Sequence, residues 1–171
     1  MSKAKINTVK KGKDDNEEFG EKIKKDLLFR VFKELGSLNG QPRIQLFIAH
    51  GFLELLINAL IKAKAKNGKK ITDDTRSYPY ASQLLILHEI GELTDQDYIL
   101  YTWFRKLRNK AAHEPLFNLT IADFDPTIKE EYRSIDKFYS VCEDLMLRLW
   151  NKNKDILVPV FVPTLAAKKE K

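Results

Sequence analysis

Cysteine is nearly missing from this sequence. Cys142 stands alone among 171 residues, which excludes an intrachain disulfide framework and most cysteine-based zinc sites. It also falls in the apolar register of the last expected helix, and no serine stands out as a nucleophile in its place. No run approaches 18 uninterrupted apolar residues, so no membrane span is expected. The early lysines are followed by no apolar h-region, so no secretory leader is expected either. Gly-rich phosphate loops and internal repeats are also missing. HEIGE at His88–Glu92 lacks the second histidine of the metalloprotease zinc helix and reads as a surface helix end. His50 and Glu54, four residues apart, would need a third ligand to hold a metal, and a hydrogen-bonded pair is the simpler reading. No metal and no cofactor are expected.

What remains is the composition of a globular chain. Apolar residues make up 43% and charged residues 32%, and the length suits one domain with one core. The net charge of +6 is carried largely by the ends. Lys3, Lys5, Lys10, Lys11 and Lys13 open the chain, and Lys168, Lys169 and Lys171 close it. Such tails either solubilise a chain or attract nucleic acid weakly. A cytoplasmic location is expected.

Hydrophobic periodicity lays out the helices. Phe19, Ile23, Leu27, Val31 and Leu35 recur every four residues, with Asn16 as a cap and Gly36 as the stop. GSLNGQP (36–42) reads as a turn. Arg43 to about Ala65 is the most apolar stretch and is expected to be the central helix. Along it His50, Glu54 and Asn58 fall at steps of four and make one polar line. Buried polar groups need partners, so that line must meet the Arg108–His113 end or a second subunit. Gly51, which costs up to about 1 kcal/mol against alanine in a helix, is expected to mark a close backbone approach.

Lys62–Tyr78 reads as a charged helix end followed by a loop. Pro79–Ile90 reads as a short helix stopped at Gly91. Thr94 and Asp97 form an expected capping box, opening a helix that buries Leu100, Trp103, Phe104, Leu107 and Ala111. Tyr98, Tyr101, Trp103 and Phe104 could stack bases, but their helical spacing points to core packing. Leu116–Pro126 reads as a loop. Ile128, Tyr132, Ile135, Phe138, Cys142, Leu145 and Leu149 define a long final helix. Two prolines make Ile156–Pro163 (ILVPVFVP) extended, packed along the bundle or clasping a neighbouring chain. The expected fold is all-α, a compact bundle of about five helices with a short extended C-terminal tail. Residues 1–15 are an expected disordered basic tail, 16–151 the bundle, and 152–171 an extended apolar and then basic tail.

The chemistry gathers at LRNKAAHEP (107–115). Pro115 disfavours α conformation at Glu114, so the helix must stop near His113. Asn109 and His113, four apart, share a face and can touch, whereas Arg108 and His113 diverge by about 140°. Arg108 must therefore swing around the helix to join them, or the last turn must unwind. The negative end of the helix dipole favours protonated His113. An arginine, an amide and an imidazole at one helix end suit a phosphate-containing ligand. Spacing alone favours a structural role, with Arg108 paired to an acid, Asn109 bonded to a loop and His113 capping carbonyls.

The run Arg108-Asn109-Lys110-Ala111-Ala112-His113 resembles the Arg-polar-x-x-x-His signature of the HEPN superfamily (higher eukaryotes and prokaryotes nucleotide-binding). The likeness is closest to compact bacterial members. With HEIGELTDQD leading into it, the helix also resembles the mannitol operon repressor and abortive-infection branches. The likeness spans Pro42 to about Trp150, and only the six-residue motif is specific. It implies a metal-independent endoribonuclease that dimerises so that two motifs face one cleft. His113 would then be general base on a ribose 2′-hydroxyl or general acid on the leaving 5′-oxygen, a task suited to a pKa near neutrality, where imidazole lies. Arg108 would neutralise charge on the phosphate, and Asn109 would orient His113 or bind a phosphate oxygen. Arg105, Lys110, His50 and Glu54 would be auxiliary or RNA-contacting. The products would be a 2′,3′-cyclic phosphate and a 5′-hydroxyl. RNA, a second copy and a nucleotidyltransferase-like antitoxin are the implied partners, in a toxin–antitoxin or phage-defence setting. The alternatives are a non-catalytic HEPN regulator or scaffold, and a nucleotide-binding module. Nothing reads as a helix-turn-helix for DNA.

Overall fold

Residues 42–64 carry apolar side chains nearly all round, a pattern that is stable only when other helices cover it. In the computed structural model, which describes residues 30–38 and 40–161, this stretch is the axis of the bundle. The helices are α1 (described part 30–37), α2 (Pro42–Lys64), α3 (Gly68–Asp73), α4 (Tyr80–Glu89), α5 (Asp95–His113), α6 (Phe138–Lys152) and α7 (Lys154–Phe161). Single 3-10 turns occur at Ile121–Asp123 and Glu130–Tyr132. The described residues contain no strand, and the fold is an all-α bundle. The expectations for residues 1–29 and 162–171 lie outside the described residues.

Gly40, at φ 78°, makes the turn into α2, and Pro42 in the first helical turn loses no bond because its missing N–H would have been unpaired there. Leu46, Leu53, Leu56, Ile57, Leu60 and Ile61 are fully buried, each worth about 1.5–3 kcal/mol of transfer free energy. Length and composition alone would let α2 cross a membrane, yet 61% of its apolar window is buried in the bundle. It lies against α3, α4, α5, α6 and α7.

Gly91 (φ 79°) turns α4 into α5, which opens on the expected capping box. The Asp97 N–H donates to Thr94 Oγ1 (3.1 Å) and the Thr94 N–H to Asp97 Oδ2 (3.3 Å). The same carboxylate accepts from Arg148 Nε of α6 at 2.7 Å. Four residues on from Asp97, the Tyr101 hydroxyl donates to Leu145 O (3.2 Å), so α6 runs antiparallel to α5. Tyr101, Trp103 and Phe104 are buried in the core, as their spacing requires.

Several elements differ from expectation. The last long helix starts at Phe138 rather than Ile128. Ahead of it, Asp125 Oδ1 accepts from both the backbone and the hydroxyl of Thr127 (2.9 and 2.6 Å), a local alternative to helical bonding. Ile128 and Tyr132 are buried nonetheless, so they anchor a loop with the spacing of a helix. The expected close approach at Gly51 occurs at Gly68, where a Cβ would stand 2.1 Å from Ile61 O; Gly51 faces open space. That approach lets α3 form inside the expected 62–78 loop. Gly36 lies within α1, and Gly40 takes the stop.

Residues 154–161 are helical, not extended. The Ile156 and Leu157 N–H groups both donate to Asn153 O (3.1 and 2.9 Å), Leu157 is fully buried, and Phe161 packs on Trp150 with ring centroids 6.0 Å apart. Pro159 is exposed inside the helix. It forgoes one backbone bond, and the exposed Asp155 leaves its carbonyl to water. With α3 and α7 added, the described residues hold seven helices rather than five.

Candidate functional site

The C-terminal half of α5 lies antiparallel to the N-terminal half of α2, and this pairing builds the site. Helix α5 stays α-helical through His113, and Glu114 turns extended (φ −92°, ψ 112°) as Pro115 demands. Arg43 of α2 reaches across and donates from Nη1 to Pro115 O (2.9 Å). The turn that follows the motif is thereby held from the far side of the bundle.

His113 is exposed at the helix end and makes no hydrogen bond or ion pair among the described residues. Arg108 is half-buried, with its guanidinium carbon 5.7 Å from the Phe47 ring centroid, an attraction between cation and ring face. Its Nη1 donates to Asn109 Oδ1 (3.3 Å), and no carboxylate among the described residues pairs with it. The last turn does not unwind, and Arg108 stays on the Phe47 side. The expected contact of Asn109 with His113 is not made, because the amide oxygen is held by Arg108. Asn109 therefore braces the guanidinium and leaves the imidazole free.

Lys110 is turned away from this group. It pairs with Asp123 and lies 3.9 Å from Glu114 Oε2, facing a turn that Trp103 Nε1 also grips through Asp123 O (2.8 Å). His50 belongs to the site side. It is buried between Tyr80, with ring centroids 4.7 Å apart, and Phe104, at 6.4 Å. Burial first, then the charges of Arg108 and Arg105, pull its pKa down to about 4, so it is neutral at pH 7. The polar line of α2 thus meets the arginines of α5. The expected His50–Glu54 hydrogen bond is absent: Glu54 is exposed, and His50 Nε2 and Asn58 Oδ1 are buried without partners.

Arg105 is half-buried, and its Nε is a third such atom; the Tyr80 hydroxyl is a fourth. Burial, reinforced by Glu54 and opposed by Arg105, pushes the Tyr80 phenol well above its ordinary value. An unmet buried polar group costs about 1–3 kcal/mol; of these four, Arg105 Nε and the Tyr80 hydroxyl donate, Asn58 Oδ1 accepts, and the role of neutral His50 Nε2 follows its tautomer. Tyr80, Arg43 and Phe47 were not singled out as site residues from the sequence. Tyr80 follows Pro79 in an ordinary helix start, and only contact between α4 and α2 reveals it.

No group of three or more His, Cys, Asp and Glu side chains among the described residues is placed to hold a metal. His88 is committed to Asp95 (Nε2 to Oδ1, 2.8 Å) and stacks on Tyr98 at 4.7 Å, as a helix-end residue. No protein-family model matches this chain, and no curated protein or solved structure matches it. The chemistry of the site therefore follows from its geometry. The backbone positions of His113 and Arg108 are about 7.5 Å apart along the helix axis and about 140° apart around it, and neither side chain has an acid partner among the described residues. An imidazole can move a proton, and a guanidinium can stabilise an oxyanion.

Proposed function

We propose that this chain is a HEPN-type, metal-independent endoribonuclease acting as a homodimer. The supporting observation is that one helix end carries both exposed His113 and Arg108, the latter braced by Asn109 and Phe47, and that neither has an acid partner among the described residues. His113 of one chain takes the 2′-hydroxyl proton. The 2′-oxygen bonds to phosphorus as the P–O5′ bond breaks, and the second chain's imidazolium protonates the leaving oxygen. Arg108 neutralises the charge gathering on the phosphoryl oxygens. A second copy is needed because one imidazole cannot be base and acid in the same step. Ile44 (42% exposed) and Leu55 (54%) on α2 give that copy an apolar face beside Phe47. The motif resemblance adds a cytoplasmic toxin or phage-defence role with a nucleotidyltransferase-like antitoxin.

One observation favours a second reading, a non-catalytic HEPN regulator. No hydrogen bond among the described residues orients His113, and the residue expected to do so is bonded to Arg108. Incubating labelled RNA with the protein in EDTA, beside His113→Ala, separates the two. The nuclease reading requires cyclic-phosphate ends from the wild type and a loss of about 10²–10⁴-fold in the variant. A folded dimer that leaves RNA intact would establish the regulator instead.

A further inference from the structure

Three polar atoms at the meeting of α2, α4 and α5 are buried and unmet among the described residues: His50 Nε2, the Tyr80 hydroxyl and Arg105 Nε; the last two donate, and Nε2 does so in the tautomer that carries its proton. They form one group. The His50 and Tyr80 rings are 4.7 Å apart, and Arg105 is near enough to act on the charge of both. Arg108 acts on His50 from the next turn of α5. Neither arginine has an ion-pair partner among the described residues, and the nearby acid that Tyr80 feels, Glu54, is exposed. A trapped water could satisfy single donors but carries no charge to set against the two half-buried guanidiniums. The complement of such a group is an oxyanion with several acceptor oxygens.

We propose that this seam is a phosphate-binding subsite, formed by Arg105, Tyr80 and His50, that lies next to the phosphate position at Arg108. It can be filled from two sources: the neighbouring backbone phosphate of a bound RNA, or a free phosphoryl group. Only the first source rests on the nuclease reading. The three atoms have almost no contact with solvent, so binding requires the half-buried Arg105 side chain to shift and admit the anion.

The test begins without RNA. Thermal unfolding is followed in inorganic phosphate and in chloride at equal ionic strength, for the wild type, Arg105→Gln and Tyr80→Phe. A saturable rise in the wild-type midpoint is expected from linkage. Binding should be about tenfold weaker in Tyr80→Phe, which removes one hydrogen bond, and lost in Arg105→Gln. Tyr80→Phe keeps the ring and so remains informative if Arg105→Gln fails to fold. No phosphate effect in the wild type, or the same effect in a folded variant, overturns the proposal. A second arm compares non-cleavable 2′-deoxy dinucleotides and trinucleotides, with one and two phosphates. A gain for the second phosphate that vanishes in Tyr80→Phe assigns the subsite to RNA, and a phosphate effect without that gain assigns it to a free phosphoryl group. Because the first arm measures neither cleavage nor RNA binding, failure of the nuclease reading leaves its result intact.

Discussion

Replacing His50 by phenylalanine should make the protein less sensitive to mild acid. His50 titrates near 4 in the folded chain, against an ordinary 6.5. Between those values the unfolded chain binds a proton that the folded chain refuses. The stability due to neutral His50 is therefore complete above about pH 6.5 and is lost as pH falls toward 4. The full difference of 2.5 pKa units corresponds to roughly 3 kcal/mol, and about 2 kcal/mol of it should disappear between pH 7.5 and pH 5. Phenylalanine fits the slot between Tyr80 and Phe104, and it removes both the titration and the unmet Nε2 atom. Urea unfolding of wild type and variant at pH 7.5, 6 and 5 gives the two pH profiles. The other titrating groups are common to both proteins, so the difference isolates His50. The variant should hold nearly constant the increment that the wild type loses. Parallel profiles would refute the assignment of a neutral, buried His50 pressed by two arginines.

The glycines of α2 and α3 should behave oppositely. Gly68→Ala drives a Cβ against Ile61 O and should cost about 1–3 kcal/mol in denaturant unfolding, the penalty of overpacking. Gly51→Ala enters open space and should add up to about 1 kcal/mol from helix propensity. Arg108→Lys keeps the charge but loses the flat stack on Phe47 and the bond to Asn109. RNA cleavage should fall about 10²–10³-fold, the usual loss for one oxyanion-stabilising donor, with the unfolding midpoint within a few degrees of wild type. Cleavage unchanged by this substitution would remove Arg108 from the chemistry.

The helix that carries the motif was legible because its signals are local. Thr94 and Asp97 announce its start, Pro115 its end, and a 3.6-residue apolar rhythm runs between them. The apolar excess of residues 43–65 likewise foretold a central helix. Periodicity failed where a loop copies a helix: Ile128 and Tyr132 are buried at helical spacing, but the Asp125–Thr127 turn had already spent the backbone bonds. Pro159 misled in the opposite sense, because burial of Leu157 and the Phe161–Trp150 contact outweigh one missing bond. Within the site, Arg108 and His113 stood out as a motif; of the polar line of α2, His50 lies near the arginines of α5, Glu54 is exposed, and His50 Nε2 and Asn58 Oδ1 have no hydrogen-bond partner among the described residues. Tyr80 and Arg43 could not be read, since their importance comes from contacts across about 30–70 residues that no local pattern encodes.

The central position of α2 also shapes how the protein must be made. Its covering helices α3 to α7 all follow it in the chain, and the last of them ends at Phe161. At about 5–20 residues per second, synthesis from Lys64 to Phe161 takes roughly 5–19 s. For that interval a 23-residue apolar segment with the length and composition of a membrane span has no complete cover. The nascent chain thus competes with membrane-targeting and chaperone machinery for its own core.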